Sequence, residues 1–139
     1  MGKIVHLQRT QSTQHDARQL LELGDVGLGD AVIADEQTAG RGRFGRSWVS
    51  PRGGLYATII APSDPLISLK AGLALIRVLK DAGVAAFLKW PNDVLVGSRK
   101  IAGILIESAS RGDEPVSLVL GMGINLSQAA DEFIEAGLP

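Results

Sequence analysis

The sequence predicts an α+β fold in which helices pack on a mixed, mainly antiparallel sheet. Seven short runs have β composition, and only turn sequences separate the last four of them, which favours hairpins over helical crossovers. Helical apolar spacing occurs separately, in segments near the start, the middle and the end of the chain. Strands grouped in hairpins, with helices set apart from them, are typical of the α+β class.

The strands are predicted from β-branched or alternating runs that are bounded by turn residues. Turn chemistry is clearest at Pro91-Asn92-Asp93 and at Gly97-Ser98, which divide the later runs. The predicted strands cover residues 4–9, 31–34, 55–60, 87–90, 94–96, 101–108 and 116–120.

Three helices are predicted from apolar residues at helical spacing. The first covers residues 14–23, and Thr13 with Asp16 is expected to form a capping box at its start. A third helix is expected over residues 128–136. The second ends near Gly83, and its apolar face comprises Leu69, Leu73, Ile76 and Leu79.

Composition predicts one globular domain over residues 1–139, because 139 residues of which 45% are hydrophobic suffice for one core. The formal net charge of -1 gives the molecule no general attraction for nucleic acid or membranes, so any anion site must be local. Without cysteine there is no thiolate chemistry or disulfide framework, and His6 and His15 stand without partners for a metal site. No apolar segment is long enough to span a bilayer, and a cytoplasmic location is expected.

A long loop over residues 38–54 carries glycines interleaved with Arg41, Arg43 and Arg46. Its glycines match G-x-G-x-x-G, but no helical pattern follows them, which argues against a dinucleotide site of the Rossmann type. Guanidinium groups and exposed backbone N–H groups together suit phosphate and carboxylate oxygens. The loop is therefore predicted to bind an anion; the alternative is a mobile, solvated surface loop.

A second polar cluster is predicted on one β-hairpin, where Lys89-Trp90-Pro91-Asn92-Asp93 is followed by Lys100 and an apolar strand. Two lysines, an amide and a carboxylate suit the handling of an activated carboxylate. The alternatives are structural, since Pro-Asn-Asp is an ordinary turn sequence and lysine is common at solvated strand ends.

Five motifs follow one another along the chain: Gln11-Ser12-Thr13, Glu36-Gln37-Thr38-Ala39-Gly40-Arg41-Gly42-Arg43, Lys89-Trp90-Pro91-Asn92-Asp93, Lys100-Ile101-Ala102-Gly103-Ile104-Leu105 and Gly121-Met122-Gly123-Ile124-Asn125. Taken together and in this order, they closely resemble the catalytic domain of biotin protein ligases. The resemblance extends from about Val5 to Leu126 and implies the class II aminoacyl-tRNA synthetase-like fold of the biotin and lipoate ligases. A lipoate ligase is less favoured, because the R-R-x-S-G-G-G segment usual in those enzymes is not found.

The resemblance implies an ATP-dependent reaction in two steps. Biotin's carboxylate first attacks the α-phosphate of ATP, with Mg²⁺ accompanying the triphosphate, and biotinyl-adenylate and pyrophosphate form. A lysine of a biotin carboxyl carrier protein or domain then accepts the biotin. By resemblance Arg41, Arg43 and Lys100 are expected to neutralise the anions, and Asp93 to accept or orient the proton of the acceptor amine.

The resemblance also implies binding roles. Hydroxyls and backbone groups would bind the ureido ring, apolar walls the thiophane end, and Trp48 would shield or stack on adenine, whereas Trp90 is expected to pack. For biotin the residues are Ser12, Thr13, Thr38, Gly40, Arg41, Tyr56, Lys100 and Gly103. For ATP and the adenylate they are Arg41, Arg43, Trp48, Lys89, Asn92 and Asn125, and no protein ligands to a metal are assigned.

The sequence departs from the family in two ways. Gln14 stands where asparagine is common, so it is given no role in the site. The chain also ends before the C-terminal part usual in the family, and it lacks an N-terminal DNA-binding extension, so no DNA partner is expected. A non-catalytic biotin-binding module and a lipoate ligase-like protein are kept as alternatives, and a homodimer through sheet edges is possible.

Overall fold

The computed structural model describes residues 2–129, Asp131 and Phe133. This part of the chain forms seven strands and two α-helices, and the last four strands follow one another without a helix between them. The third predicted helix, over residues 128–136, lies largely outside the described residues. In chain order the elements are β1 (Ile4–Leu7), α1 (Thr13–Leu23), β2 (Ala31–Ala34), β3 (Leu55–Pro62), α2 (Ile67–Asp81), β4 (Phe87–Lys89), β5 (Asp93–Val96), β6 (Arg99–Ala109) and β7 (Ser117–Ile124).

All seven strands form one sheet in the order β1-β2-β3-β7-β6-β5-β4. Only β1 and β2 pair in parallel, since α1 lies between them in sequence, and each of the other neighbouring pairs is antiparallel. The predicted mixed, mainly antiparallel sheet is therefore correct. The central strands β3, β7 and β6 pair along eight residues each, which gives the sheet a rigid middle.

The two helices cover opposite faces of this sheet. On one face Ala17 and Leu21 of α1 join a buried cluster with Ile60 of β3 and Val119 of β7. On the other face Leu79 of α2 lies in a cluster with buried residues of β5, β6 and β7. Burying a side chain of this size contributes about 1.5–3 kcal/mol, so both helices are held chiefly by their apolar faces.

The start of α1 differs from the predicted capping box. Ser12, not Thr13, is the N-cap, and its Oγ accepts a 3.5 Å hydrogen bond from the backbone N–H of His15. Asp16 instead accepts a hydrogen bond from the hydroxyl of Thr10. Gly24 ends the helix in the left-handed conformation, with φ of 78°, as expected of a glycine cap.

Three further details differ from the sequence prediction. Strand β4 ends at Lys89 rather than Trp90, and β7 continues to Ile124 rather than Leu120. Trp90, which was expected to pack, is 78% exposed, so that prediction was wrong. Trp90 lies in the turn between β4 and β5, where its side chain is open to solvent.

Among the described residues, the longest helix has 15 residues, and none combines the length and apolarity that a membrane-spanning helix requires.

We predict that the carboxylate of Asp30 stabilises the fold above its usual pKa of about 3.9. Hydrogen bonds from the backbone N–H groups of Gly27 and Lys3 lower the pKa of Asp30. Its contribution is therefore complete above the usual pKa and is lost as the pH falls through the lowered value. The midpoint temperature of thermal unfolding should be higher for wild type than for Asp30→Asn near neutral pH, and the two midpoints should converge in acid. A difference that stays constant down to the lowest pH would contradict this.

Candidate active site

At the centre of the sheet two glycines lie side by side on the face that carries α1. Tyr56 of β3 lies opposite Gly123 of β7, Gly123 opposite Gly103 of β6, and Gly103 opposite Asp93 of β5. Because directly paired residues project to the same face, the two glycines leave a flat area between Tyr56 and Asp93. We call Gly103 and Gly123 the glycine floor.

The indole of Trp48 covers this floor. A Cβ atom on Gly123 would lie 2.2 Å from Trp48 Nε1, and one on Gly103 would lie 3.2 Å from Trp48 Cζ3. Indole Nε1 is buried and has no hydrogen-bond acceptor among the described residues. A buried N–H donor without an acceptor costs free energy. In this position the ring of Trp48 packs well on the glycines, but its Nε1 is unsatisfied.

Trp48 belongs to the loop over residues 38–54, whose two legs are joined at their base. Gln37 donates from Nε2 to Ser50 Oγ at 2.9 Å, and its Oε1 accepts from both the backbone N–H and the hydroxyl of Thr13. Backbone bonding between Gly40 and Trp48 continues the pairing. A cavity of about 320 Å³ lies between the legs, lined by residues 36–40 and 47–51. The loop base is thus attached to the N-terminus of α1.

The arginine-bearing part of the loop reaches the sheet through side chains. Arg41 Nη2 lies 3.3 Å from Glu107 Oε2 of β6. Arg43 Nη1 donates to Asn92 Oδ1 at 2.9 Å, and Asn92 Nδ2 donates in turn to the carbonyl of Ile104. Both arginines are exposed, so their guanidinium groups are accessible to an anion above the floor.

Lys100 and Asp93 close the floor on the side of the β5–β6 hairpin. Lys100 Nζ is 2.8 Å from Asp93 Oδ1 and 5.2 Å from the ring centroid of Trp48. The Pro-Asn-Asp segment is a turn, as its composition predicts, yet it also directs Asp93 toward the floor. An ammonium group and a carboxylate therefore lie beside the glycine floor, and the loop whose indole covers the floor carries two further cations, Arg41 and Arg43.

A buried polar network lies under the loop, where the sequence predicted biotin contacts. The hydroxyl of Thr13 is 2.9 Å from that of Thr58, which donates to Gln14 Oε1 at 3.2 Å. Gln14 Nε2 donates to the carbonyl of Val119, so Gln14 spans from α1 to β7. Ser12 and Thr13 are 4% and 3% exposed, which places both beneath the site.

Other predicted residues lie around this centre. Thr38 is exposed, and its hydroxyl is 3.5 Å from the carbonyl of Thr10. Lys89 is exposed opposite Asp93, and Asn125 accepts a hydrogen bond from Gln128. The buried Tyr56 donates its hydroxyl to the carbonyl of Pro51 at 2.5 Å and so holds the end of the loop as well as one edge of the floor.

Gln37, Thr58, Glu107 and Gly123 belong to the site but were not assigned a role from sequence. Gln37 and Gly123 stood inside quoted motifs, so motif position was the available signal. No sequence signal pointed to Glu107, because it meets Arg41 only in the folded structure, 66 residues apart in sequence.

Residues 6–125 match the profile of one protein family, the biotin/lipoate A/B protein ligases. The chain belongs to that family. The resemblance inferred from the five motifs is therefore confirmed. Among curated relatives, a biotin–[acetyl-CoA-carboxylase] ligase of Paracoccus denitrificans is 44% identical over 90% of this chain and 55% of its own length. A bifunctional ligase/repressor, BirA, of Bacillus subtilis is 36% identical over 91% of this chain and 40% of its own length.

Solved structures of the family confirm the α+β fold. A biotin protein ligase of Leishmania major in complex with biotinyl-5-AMP has a TM-score of 0.73 and 37% identity, over 93% of this chain and 60% of that one. The Aquifex aeolicus ligase in complex with biotin and ATP has a TM-score of 0.73 and 32% identity, over 92% and 54%. The chain spans about half the length of the curated relatives that it matches.

We predict that Gly123→Ala displaces the indole from the floor, because the added Cβ would overlap Trp48 Nε1 and Cε2. In a Trp90→Phe background Trp48 is the only fluorophore of its kind, and its emission should shift to longer wavelength as the ring becomes hydrated. Gly27→Ala is the matched control, since a Cβ there has no heavy atom within 4 Å. Unchanged emission from a folded Gly123→Ala protein would contradict the packing described.

Proposed function

We propose that this chain is the catalytic core of an ATP-dependent biotin protein ligase. It would form biotinyl-5′-AMP from biotin and ATP and then transfer biotin to a lysine of a carrier domain. The observation that supports this most directly is the arrangement of Lys100, Asp93 and the arginine loop around the glycine floor. The ligands named for the Leishmania and Aquifex structures support the same assignment.

Biotin is proposed to bind on the floor, with its thiophane ring against Gly103 and Gly123. Glycine permits a ligand to approach the backbone closely, and Tyr56 supplies an adjoining wall. Because the indole of Trp48 covers this surface, biotin bound there displaces it. The displaced indole is then available to stack on adenine, where its Nε1 can reach a hydrogen-bond acceptor.

The first step requires two anions to approach each other. A carboxylate oxygen of biotin attacks the α-phosphorus, a phosphoanhydride bond breaks, and pyrophosphate leaves. Lys100 is proposed to neutralise the carboxylate and the α-phosphate, while Arg41 and Arg43 bind the phosphates. Cations fixed where charge accumulates lower the barrier without reorganising solvent. Lys89, Asn92 and Asn125 are proposed to contact the phosphates and adenosine, and Ser12, Thr13, Thr38 and Gly40 the ureido end.

The second step transfers the acyl group to an amine. The acceptor lysine must lose a proton, attack the acyl carbon of the adenylate and release AMP. Asp93 is the nearest carboxylate to the floor, but in this structure it is paired with Lys100. Once Lys100 turns to the phosphate, Asp93 becomes free to accept or orient the amine proton.

The described residues do not form a carboxylate and imidazole cluster that would hold a metal ion by themselves. The carboxylates of Asp93 and Glu107 are both paired with cations. Mg²⁺ is therefore proposed to enter with ATP and to be bound mainly by phosphate oxygens, as is common for this ion.

A biotin carboxyl carrier protein or domain is the proposed partner, in keeping with the name of the Paracoccus relative. The relatives named BirA are also called repressors, so the absence of a DNA partner stays a prediction. A cytoplasmic location and a homodimer likewise stay predictions from the sequence.

We predict that the purified chain exchanges labelled pyrophosphate into ATP when biotin and Mg²⁺ are present. Lipoate should support little exchange, because the identities of 36–44% are with biotin ligases. Exchange with biotin alone would establish adenylate formation. A folded chain that binds biotin without exchange would refute the ligase proposal in favour of a binding module, and exchange with lipoate would reassign the substrate.

We predict that Lys100→Gln lowers the exchange rate by about 10²-fold or more, the range for losing one group that stabilises transition-state charge. Lys100→Arg should restore only part of this rate, because a planar guanidinium does not replace a compact ammonium group. Lys70→Gln is the control, since Lys70 lies on α2, on the opposite face of the sheet from the floor, and pairs with Asp64. Equal rates for Lys100→Gln and Lys70→Gln would remove Lys100 from the mechanism.

A further inference from the structure

Glu107 of β6 pairs with two arginines that come from different elements. Its Oε2 lies 3.3 Å from Arg41 Nη2 of the loop and 3.3 Å from Arg18 Nη2 of α1. We infer that Glu107 is a positioning residue that holds the arginine loop over the glycine floor, and that Arg18 keeps its carboxylate paired when an anion draws Arg41 away.

The position of Glu107 suits this role. Glu107 follows Gly103 by four residues on β6, so both project to the face that carries α1. It lies opposite Val119, whose side chain is in the core beneath α1. With 28% of its side chain exposed, Glu107 is more enclosed than Arg18 at 36% or Arg41 at 50%. The carboxylate is therefore the fixed member of the cluster, and Arg41 is its most mobile partner.

The arginine-bearing segment has few other attachments. Bonds among Gly42, Arg43 and Arg46 stay inside the loop. Within the described residues, two side-chain hydrogen bonds join residues 41–46 to the rest of the molecule: Arg41 with Glu107 of β6, and Arg43 with Asn92 in the turn before β5. Loss of either contact should allow this segment to leave the floor while the base of the loop stays bonded through Gln37.

The charges of the cluster make the contact reversible. One carboxylate is shared by two guanidinium groups, so the cluster retains one net positive charge. When Arg41 moves to a phosphate, with which guanidinium forms strong two-point hydrogen bonds, Glu107 remains paired with Arg18. The half-buried carboxylate of Glu107 is not left unpaired by the movement. Without Arg18, Arg41 would be the only cation described beside Glu107. Glu107 would then hold Arg41 more firmly, because no second guanidinium group would compete for the carboxylate.

This inference gives opposite expectations for two neighbouring residues. Glu107→Gln should loosen the loop, whereas Arg18→Gln should hold it more closely. A merely structural role for the cluster would make both substitutions loosen the loop. Part-exposed ion pairs change an equilibrium by about two- to fivefold, which sets the size of each effect.

The experiment is limited proteolysis of the full chain by trypsin without substrates, with cleavage after Arg46 followed by mass spectrometry. Arg46 is exposed, and its side chain makes no hydrogen bond or ion pair within the described residues, so neither substitution removes a partner of Arg46. We expect cleavage about two- to fivefold faster in Glu107→Gln and slower by a similar factor in Arg18→Gln. Added salt should accelerate cleavage of wild type toward the rate of Glu107→Gln and leave that variant nearly unchanged.

Glu114→Gln is the matched control, because it removes a carboxylate that pairs with Arg111, three residues earlier, outside the loop and the site. Thermal unfolding of all variants identifies any general loss of stability. Equal cleavage of Glu107→Gln and wild type would overturn the inference, as would faster cleavage of Arg18→Gln. Since no substrate is present, this result is separate from whether the chain ligates biotin.

Discussion

The pairing of Gly103 with Gly123 at the centre of the sheet is the constraint on which the site depends. Side chains of ordinary size at these two positions would fill the face between Tyr56 and Asp93, and the indole of Trp48 could not lie there. Glycine weakens a strand by removing a side chain that could pack. Here the sheet can carry two such positions, because β7 is paired along eight residues with β3 on one side and along eight with β6 on the other. The stability of the middle of the sheet is what permits an open surface within it.

A second constraint is the polar network between α1 and the base of the loop. Thr13, Thr58 and Gln14 are almost entirely buried, and each has a hydrogen-bond partner. Buried hydroxyl and amide groups impose strict geometry, because a lost partner leaves a desolvated polar atom. Gln37 extends this network to Ser50, so the orientation of the loop base is coupled to the position of α1. The network thereby separates a fixed base from a movable arginine segment. Gln14 has a structural reason to be glutamine: its amide must reach across Gly121 to the carbonyl of Val119.

Much of the fold and part of the site could be predicted from sequence. Strand β2 and the hairpins from β4 to β7 are local features, in which alternation and turn residues specify the structure. The cluster of Lys100 with Asp93 was also predictable, because a short hairpin joins them. Trp90 was placed wrongly because its exposure depends on the path of the backbone after β4, which the flanking residues do not specify. Glu107 and the burial of Thr13 depend on contacts between segments far apart in sequence, and no single-sequence pattern reports these.

The state of Trp48 connects these constraints. The indole gains apolar contact with the floor and with Lys100, but its Nε1 is buried without an acceptor among the described residues. An unpaired buried donor costs about 1–3 kcal/mol, which is comparable to the packing that one face of the ring provides. The unpaired Nε1 therefore offsets part of the stabilisation that packing on the floor provides. A ligand that replaced the indole on the glycines would therefore lose less free energy if the displaced Nε1 could reach a hydrogen-bond acceptor.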